Sequence, residues 1–483
     1  MASRQQRKVI VIGCGMGGMA AAASALQHGA AVTLIERAPR EERGGQTRYT
    51  EAYFRMKSEH EVTDDFESHL AQNASGHIDP SLVHETAKAY ETWPAVVRAL
   101  SFDDPEFIST FAAAAGPTVQ WLKSFGVRFD FLPTQFLTKS QPRLLPVGGG
   151  LALIEALAAY AEQQRAEFVY DTAATSLVIG PEGNVAGVSG YGTGHRACRY
   201  EGDAVVLACG GFEGNAEMLS CYLGPRSVHL RPVCRGGHYN KGEGIRMALG
   251  IGAAPCGDYG SYHAEPVDPR SGIAEPSVFI FPYGVLVNLD GRRFTDEAPG
   301  TVDAYYERVT REIYSQRNGI AYAVLDAKHT RIPNYRLGIR SDQPPVVAST
   351  MEELAGRIGI DAGMLGTTIA EYNAACRKGP FRPLELDRLA TEGLAPRKSN
   401  WAHPLDEPPF HAYPVISSNV FTFGGLKVDR HARVLDAQGE PIRGLYAAGE
   451  IIGTYYGNYT GATSVLKGAV FGRIAGAHAA QLP

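Results

Sequence analysis

The chain has 483 residues, 44% of them apolar, with 46 lysines and arginines against 51 aspartates and glutamates and a formal charge of −5. That length allows two or three domains with sizeable cores, and a slightly acidic balance without a basic tract argues against a nucleic-acid partner. No apolar run is long enough for a bilayer span. The seven scattered cysteines, none in a C-x-x-C pair, fit thiols in a reducing cytoplasm rather than a disulfide framework or a metal site.

The opening residues are basic and polar, carry no apolar segment of the signal-peptide kind, and lead directly into a strand over 8–12. Gly13-Cys14-Gly15-Met16-Gly17-Gly18 follows at once, then an alanine-rich helix to about 28, then a second apolar strand over 31–35 that ends on Glu36. Strand, G-x-G-x-x-G, helix, strand and acidic residue in this order predict a dinucleotide fold. Gly13 permits the tight turn, Gly15 lets the backbone approach a pyrophosphate, and Gly18 brings the helix close to the sheet. The pyrophosphate rests on the helix N-terminus, and Glu36 accepts from a ribose hydroxyl, which favours FAD or NAD over NADP. Arg37 follows Glu36 into the same region.

A helix-rich stretch is expected over 61–125, a turn at Gly148-Gly149-Gly150 and a helix over 151–163. Short strands follow at 168–170, 176–179 and 185–188, and a buried strand over 203–209 ends in Gly210-Gly211. From 254 to 408 prolines and polar loops become common, and strand-like and helical pieces alternate. The expected architecture is α/β: a Rossmann-like nucleotide domain formed by 1–253 and 409–483, with an inserted α+β capping domain over 254–408. A hairpin over 426–435, a strand ending at Gly449-Glu450 and a last helix over 461–480 close the chain.

Three segments make a family recognisable. Gly44-Gly45-Gln46-Thr47 is similar to a G-G-x-[ST] turn that touches flavin. Residues 288–297, with Asn288, Gly291, Arg293, Phe294 and Glu297, resemble a signature of fumarate reductase flavoproteins. Phe423-Gly424-Gly425-Leu426 and the strand ending at Glu450 resemble their C-terminal FAD segment. The resemblance runs over nearly the whole chain, to a superfamily that includes fumarate reductase and succinate dehydrogenase flavoproteins, tricarballylate dehydrogenase, and 3-ketosteroid and cyclohexanone dehydrogenases. Local similarity is greatest to the tricarballylate type, at residues 263–268 and 294–300. The resemblance implies FAD, a cap over the flavin, and hydride transfer between a C–C bond and flavin N5. Arg48 and Tyr49 follow Thr47 where the succinate dehydrogenase type carries its flavin-linking histidine, which implies noncovalent FAD. It also implies that Gly44, Gly45, Gln46, Thr47, Gly149, Gly150, Ala174, Gly210, Gly449, Glu450, Ser464 and Val465 complete the cofactor site.

Desaturation next to a carbonyl needs a base for the α proton, a hydride acceptor and support for the developing enolate. Tyr459 precedes the last helix, whose N-terminus attracts negative charge; the ketone dehydrogenases place a substrate-binding tyrosine near this point. Tyr283 is the candidate base, expected to meet Tyr459 across the flavin. With a free pKa of ~10 it needs a nearby cation or helix end. His263 matches the histidine with which fumarate reductases hold a substrate carboxylate, and its titration range suits a base or donor. His411, near the return from the cap, is a further candidate. Arg55 and His60 lie past the flavin turn, unplaced by sequence.

Two departures from the fumarate reductase pattern stand out: Val420 and Phe421 replace the histidine before Gly424, and Thr301 replaces the arginine expected after Glu297. Both weaken the case for a dicarboxylate, which calls for bidentate arginine contacts. Arg293 and Glu297 read as a structural ion pair. The expected function is α,β-dehydrogenation of a carbonyl compound, a cyclic ketone first, with an unidentified electron acceptor. A tricarballylate-like carboxylate dehydrogenase, an ene reductase and a flavin-binding protein without turnover are the alternatives.

Overall fold

The computed structural model describes residues 6–73, 80–102, 104–131 and 143–481, so part of the expected helix-rich stretch 61–125 lies outside the described residues. Val9, Ile10 and Val11 are fully buried and Ile12 is nearly so. Apolar on both faces, Lys8–Ile12 has the sequence of a strand covered from two sides. It lies inside a six-stranded sheet whose order is Arg433–Leu435, Pro441–Ala447, Ala204–Leu207, Lys8–Ile12, Ala31–Ile35 and Glu167–Val169. The pairings are parallel except for the outer hairpin. The glycine turn, Ala208 and Ala448 follow three adjacent strands, so they converge at one carboxyl edge, the place where open α/β sheets bind ligands.

The helices Met16–Gln27 and Ser464–Ala480 cross in backbone contact. A Cβ on Gly472 would stand 2.3 Å from the Gly17 carbonyl oxygen, and one on Gly476 would stand 2.1 Å from that of Ala21. Small residues therefore set this crossing distance, and the approach brings both helix N-termini to the same edge of the sheet. Beside the main sheet stands an antiparallel three-stranded sheet, Ala173–Ile179, Val185–Gly192 and Arg196–Glu201.

The second large sheet is organised around the long strand Phe410–Thr422. Ile320–Leu325 pairs with its first half and Tyr262–Val267 with its second, while Val285–Asn288, Val346–Ala348 and Arg231–Pro232 complete the sheet. Side chains alternate between two cores, as a pleated strand requires. Leu286, Ala323 and Val415 face one core with the helix Val302–Ser315; Val285, Val324 and Ala412 face another with Met351–Ile358 and Ala362–Ala375. Residues 410–422 thus pair with strands of the inserted part. We therefore place the return to the nucleotide fold after Thr422, rather than at 409 as the change in composition suggested.

Candidate active site at the flavin cradle

A cavity of about 1250 Å³, its open mouth included, lies at the carboxyl edge of the main sheet. Gly13, Gly15, Glu36, Arg37, Ala174 and Gly210 line it, as do Gly45, Gln46, Thr47, Gly449, Glu450, Ser464 and Val465. Gly13 has φ +101°, the left-handed turn expected of it. Gly15 leaves open space, its nearest prospective contact being the Gly44 carbonyl oxygen at 3.8 Å. Neither Gly15 nor Thr463 caps its helix with its own side chain, but the first N–H of each helix is taken, that of Met16 by Thr47 Oγ1 at 3.3 Å and that of Ser464 by the Tyr459 oxygen at 3.0 Å. The remaining first-turn N–H groups and the dipoles of two helices that start at one space make an anion site suited to a pyrophosphate at one and a charged flavin ring at the other.

Glu36 is buried, and each of its oxygens already accepts a backbone N–H, from Cys14 at 2.7 Å and Ala38 at 2.8 Å. Each oxygen keeps a second lone pair for a ribose hydroxyl. Burial pushes the Glu36 carboxyl up, and the backbone donors oppose that. Arg37 lines the cavity but its guanidinium pairs with Glu243. These residues fit FAD.

Gly18, Gly44, Gly149 and Gly150 do not line the cavity; they shape its walls from behind. A Cβ on Gly18 would lie 1.9 Å from the Gly13 carbonyl oxygen, so Gly18 closes the turn itself, and only then the sheet, with the Ala208 Cβ 3.3 Å away. A Cβ on Gly150 would lie 1.9 Å from the Thr47 carbonyl oxygen, and one on Gly149 3.1 Å from that of Thr50. Gly44 turns the chain with φ +118° against Ile154.

Sequence reasoning missed Glu213, Asn240, Cys234 and Glu275, all in or behind the cavity wall. Glu213 is buried beside Glu450. Gln46 Nε2 donates to Glu213 Oε1 at 2.6 Å, and Asn240 Nδ2 donates to the same oxygen. Glu450 accepts from the Thr422 N–H at 3.0 Å. Burial raises both carboxyls, and their proximity leaves one of them holding a proton. A carboxyl in a glycine-flanked loop such as 210–214 was the only available signal.

Behind Phe421, which lines the cavity, stands an aromatic wall. Phe421 lies 5.0 Å from the Tyr459 ring and 5.1 Å from that of His263, and the Tyr459 and His263 rings are 4.5 Å apart. The Tyr459 oxygen accepts the N–H groups of Thr463 and Ser464, both at 3.0 Å, and donates to Ser464 Oγ at 3.1 Å. His263 Nε2 meets the Tyr306 hydroxyl at 2.7 Å, while its buried Nδ1 has no hydrogen-bond partner among the described residues. Burial, then the charges of Arg311 and Arg143, push His263 down to about 3, so the imidazole is neutral at working pH. Tyr459 and His263, named separately as candidates from sequence, thus lie side by side, and burial removes the titration range expected of His263.

The helix Val302–Ser315 supplies the rest of this wall. Asp303, Tyr306, Glu307 and Arg311 share a face at helical spacing. Arg143 places its Nη2 2.9 Å from both Asp303 oxygens. Arg311 pairs with Glu307 at 3.0 Å, and Glu307 also accepts the Tyr459 N–H at 3.2 Å. The alternation of Val302, Val309 and Ile313 with this polar face was a legible signal that composition alone passed over. Arg55 donates its backbone N–H to the Ala462 carbonyl at 2.8 Å and its guanidinium to Thr63 and Asp65, which makes it a support of the 461–462 turn. Arg293 and Glu297 are a buried ion pair with Nη2 to Oε2 at 2.6 Å, as the family motif they belong to implied.

Tyr283 and His411 stand elsewhere. Tyr283 is packed against Trp401 and Phe381 in the core of the inserted part, and its hydroxyl donates to the Pro383 carbonyl. Burial moves it away from ionisation, the opposite of what a base needs. It does not meet Tyr459, whose hydroxyl is held at the last helix. His411 shares the long strand with Phe421 but lies ten positions away, about 33 Å at the rise of an extended chain. It packs on His329, with Nδ1 and Nε2 3.3 Å apart, and burial followed by the His329 charge lowers it to about 4. The two-tyrosine arrangement is therefore replaced by a site around Tyr459 and His263.

Among the described residues, no group of three or more His, Cys, Asp or Glu is placed to hold a metal ion, and no helix is long and apolar enough to cross a membrane. The chain is 29% identical over 404 residues to the NADH:acrylate oxidoreductase of Vibrio harveyi, covering 78% of this chain and 37% of that protein. It is 29% identical over 348 residues to the 4-oxocyclohexanecarboxylate 2-dehydrogenase of Sinomonas cyclohexanicum, covering 66% of this chain and 58% of that protein. The chain thus spans little more than a third of the first relative's length. Its fold matches the open conformation of a flavocytochrome c3 fumarate reductase with a TM-score of 0.73 at 24% identity, covering 99% of this chain and 79% of that one. Residues 8–466, from the first strand to the last helix N-terminus, match the FAD binding domain model; the chain belongs to that family, and FAD is its cofactor.

Proposed function

We propose that the protein is an FAD-dependent dehydrogenase that introduces a double bond next to the carbonyl of a neutral, cyclic ketone. FAD, when bound noncovalently in the cradle, supplies a hydride acceptor at N5. One observation carries the choice of a neutral substrate. Both arginines that act on His263 are already compensated, Arg143 by Asp303 and Arg311 by Glu307, and His263 itself is neutral. A dicarboxylate placed here would meet those acids without a free cation among the described residues, a costly burial of like charge. A ketone asks only for a donor to its oxygen and an apolar wall for its ring. Tyr459 offers the O–H that it now gives to Ser464, His263 offers an unused Nδ1, and Phe421 offers the wall. The name of the Sinomonas relative includes a ring ketone and supports that part of the reading, although the compound named also carries a carboxylate.

The reverse reaction, reduction of an activated alkene, is the second reading, supported by the acrylate oxidoreductase relative. Anaerobic mixing of the holoprotein with cyclohexanone, tricarballylate or succinate, followed by flavin absorbance, tests the first. Bleaching by cyclohexanone is expected. Bleaching by a carboxylate alone rejects the ketone reading. Oxidation of the dithionite-reduced flavin by an enone or acrylate, with no bleaching by any saturated compound, favours the reductase.

A further inference from the structure

The site around Tyr459 and His263 has a donor and a wall but no base. His263 is too strongly held in its neutral form, and burial places Tyr283 in a distant core. One carboxyl that lines the cavity has no other task in the reading above. Glu275 sits on the wall with Val233, Cys234 and Gln46, next to Val420. Its backbone is in an uncommon conformation: φ is +48°, the left-handed region that few non-glycine residues adopt, and it precedes a proline, which disfavours compact conformations at that position. Its N–H donates to the Val233 carbonyl at 3.2 Å, and the N–H of Ser277 returns to its own carbonyl at 2.7 Å, which fixes the turn.

The side chain is equally fixed. Arg340 Nη1 stands 3.3 Å from Glu275 Oε2, and the Thr50 side chain lies beside the carboxyl from the flavin-domain side. Arg340 also pairs with Glu51, whose side chain is 40% exposed, so the cluster opens to solvent there. The charged groups facing Glu275 are Arg340, Glu51 and Glu265. One cation thus serves three acids, and burial outweighs it.

We propose that Glu275 is the base that removes the α proton of the ketone. The inference rests on the dehydrogenase reading above. The α carbon–hydrogen bond breaks and its proton passes to a Glu275 oxygen; the electron pair left behind becomes the new carbon–carbon double bond. The β hydrogen would leave with its two electrons as hydride, and FAD held in the cradle would supply the two-electron acceptor. The substrate is oxidised by two electrons, and the proton on Glu275 leaves through the Glu51 opening. Burial raises Glu275 to about 7, which suits proton transfer at neutral pH.

The test separates proton removal from hydride loss. The holoenzyme is incubated anaerobically in D2O with cyclohexanone and no electron acceptor, and deuterium entering the α carbon is followed by mass spectrometry. Wild type is expected to exchange, faster with rising pH through about 7. Glu275→Gln is expected to exchange at least ~100-fold more slowly with no pH limb, while cyclohexanone still perturbs its flavin spectrum. Glu275→Asp keeps the charge and is expected to recover part of the exchange, which covers the case where Glu275→Gln fails to hold flavin. Exchange by Glu275→Gln at the wild-type rate overturns the proposal, as does Glu275→Asp with the wild-type rate and no pH limb. If cyclohexanone neither bleaches nor shifts the flavin of wild type, the dehydrogenase reading itself fails and the base falls with it; the failure then shows in wild type, before any variant is compared.

Discussion

In the nucleotide half, Gly13, Gly15, Gly17 and Gly18 act within six consecutive positions, and they act through backbone: a turn, an open approach and two close packings. Across the cavity, His263, Glu275, Tyr306, Glu307 and Tyr459 come from four separate segments, and they act through side chains. The cradle tolerates almost no added atoms but makes few demands on side-chain chemistry. The wall opposite is aromatic, and its two arginines, Arg143 and Arg311, are matched by Asp303 and Glu307, whereas Glu275 shares Arg340 with other acids. The cradle is set by backbone shape, whereas the proposed reaction depends on a few polar groups brought together by tertiary packing.

The largest effect is expected where shape is violated. Gly18→Ala would set a Cβ 1.9 Å from the Gly13 carbonyl oxygen, a backbone atom that cannot yield. The variant should be recovered without flavin or not at all, measured by the ratio of flavin to protein absorbance; a yellow Gly18→Ala with normal stability would show that the cradle is more plastic than its packing. On the other side, Tyr459→Phe removes the oxygen that accepts the Thr463 and Ser464 N–H groups and the donor offered to a ketone. Flavin content should persist and kcat/KM for a bleaching ketone should fall by about 10²–10³-fold, the cost of one oxyanion donor. Loss of flavin instead would move Tyr459 from the reaction to the cradle.

The acid cluster at the seam sharpens the comparison by pH. Burial raises Glu265 to about 8 and Glu275 to about 7, both from an ordinary value of 4.5. Folding therefore favours their protonated forms. The stability they contribute is complete below the ordinary value and is lost as pH rises through about 7 and then about 8. Thermal midpoints should fall from pH 6 to pH 8, and Glu265→Gln should flatten that fall; a profile already flat in wild type over this range would mean the carboxyls are ionised and paired in the fold. The smallest effect is expected from Tyr283→Phe, which gives up the bond to the Pro383 carbonyl for about 1 kcal/mol of stability and leaves kcat unchanged. A large loss of kcat there would return Tyr283 to the site.

The sequence alone determined the parts of this protein that depend on neighbours in the chain. The glycine turn, Glu36 at the end of the second strand, the Gly44–Thr47 turn and the strand ending at Glu450 were legible because each is one local backbone conformation with one tolerated set of residues. The Arg293–Glu297 pair was expected from the resemblance of residues 288–297 to a family signature that recurs whatever the substrate. Only the tertiary structure decided which side chains face the cavity. A strand places successive residues on opposite faces and carries them 3.3 Å apart, so His411 and Phe421 share one strand yet lie at its two ends. Tyr283 was a candidate base on the inserted part; packing against Trp401 puts it in a core instead. Charge is equally nonlocal: Arg143 and Asp303 are 160 positions apart and cancel each other beside the substrate wall. The value of His263 as an acid or base was set by burial, a property of the folded surface that no run of neighbouring residues encodes.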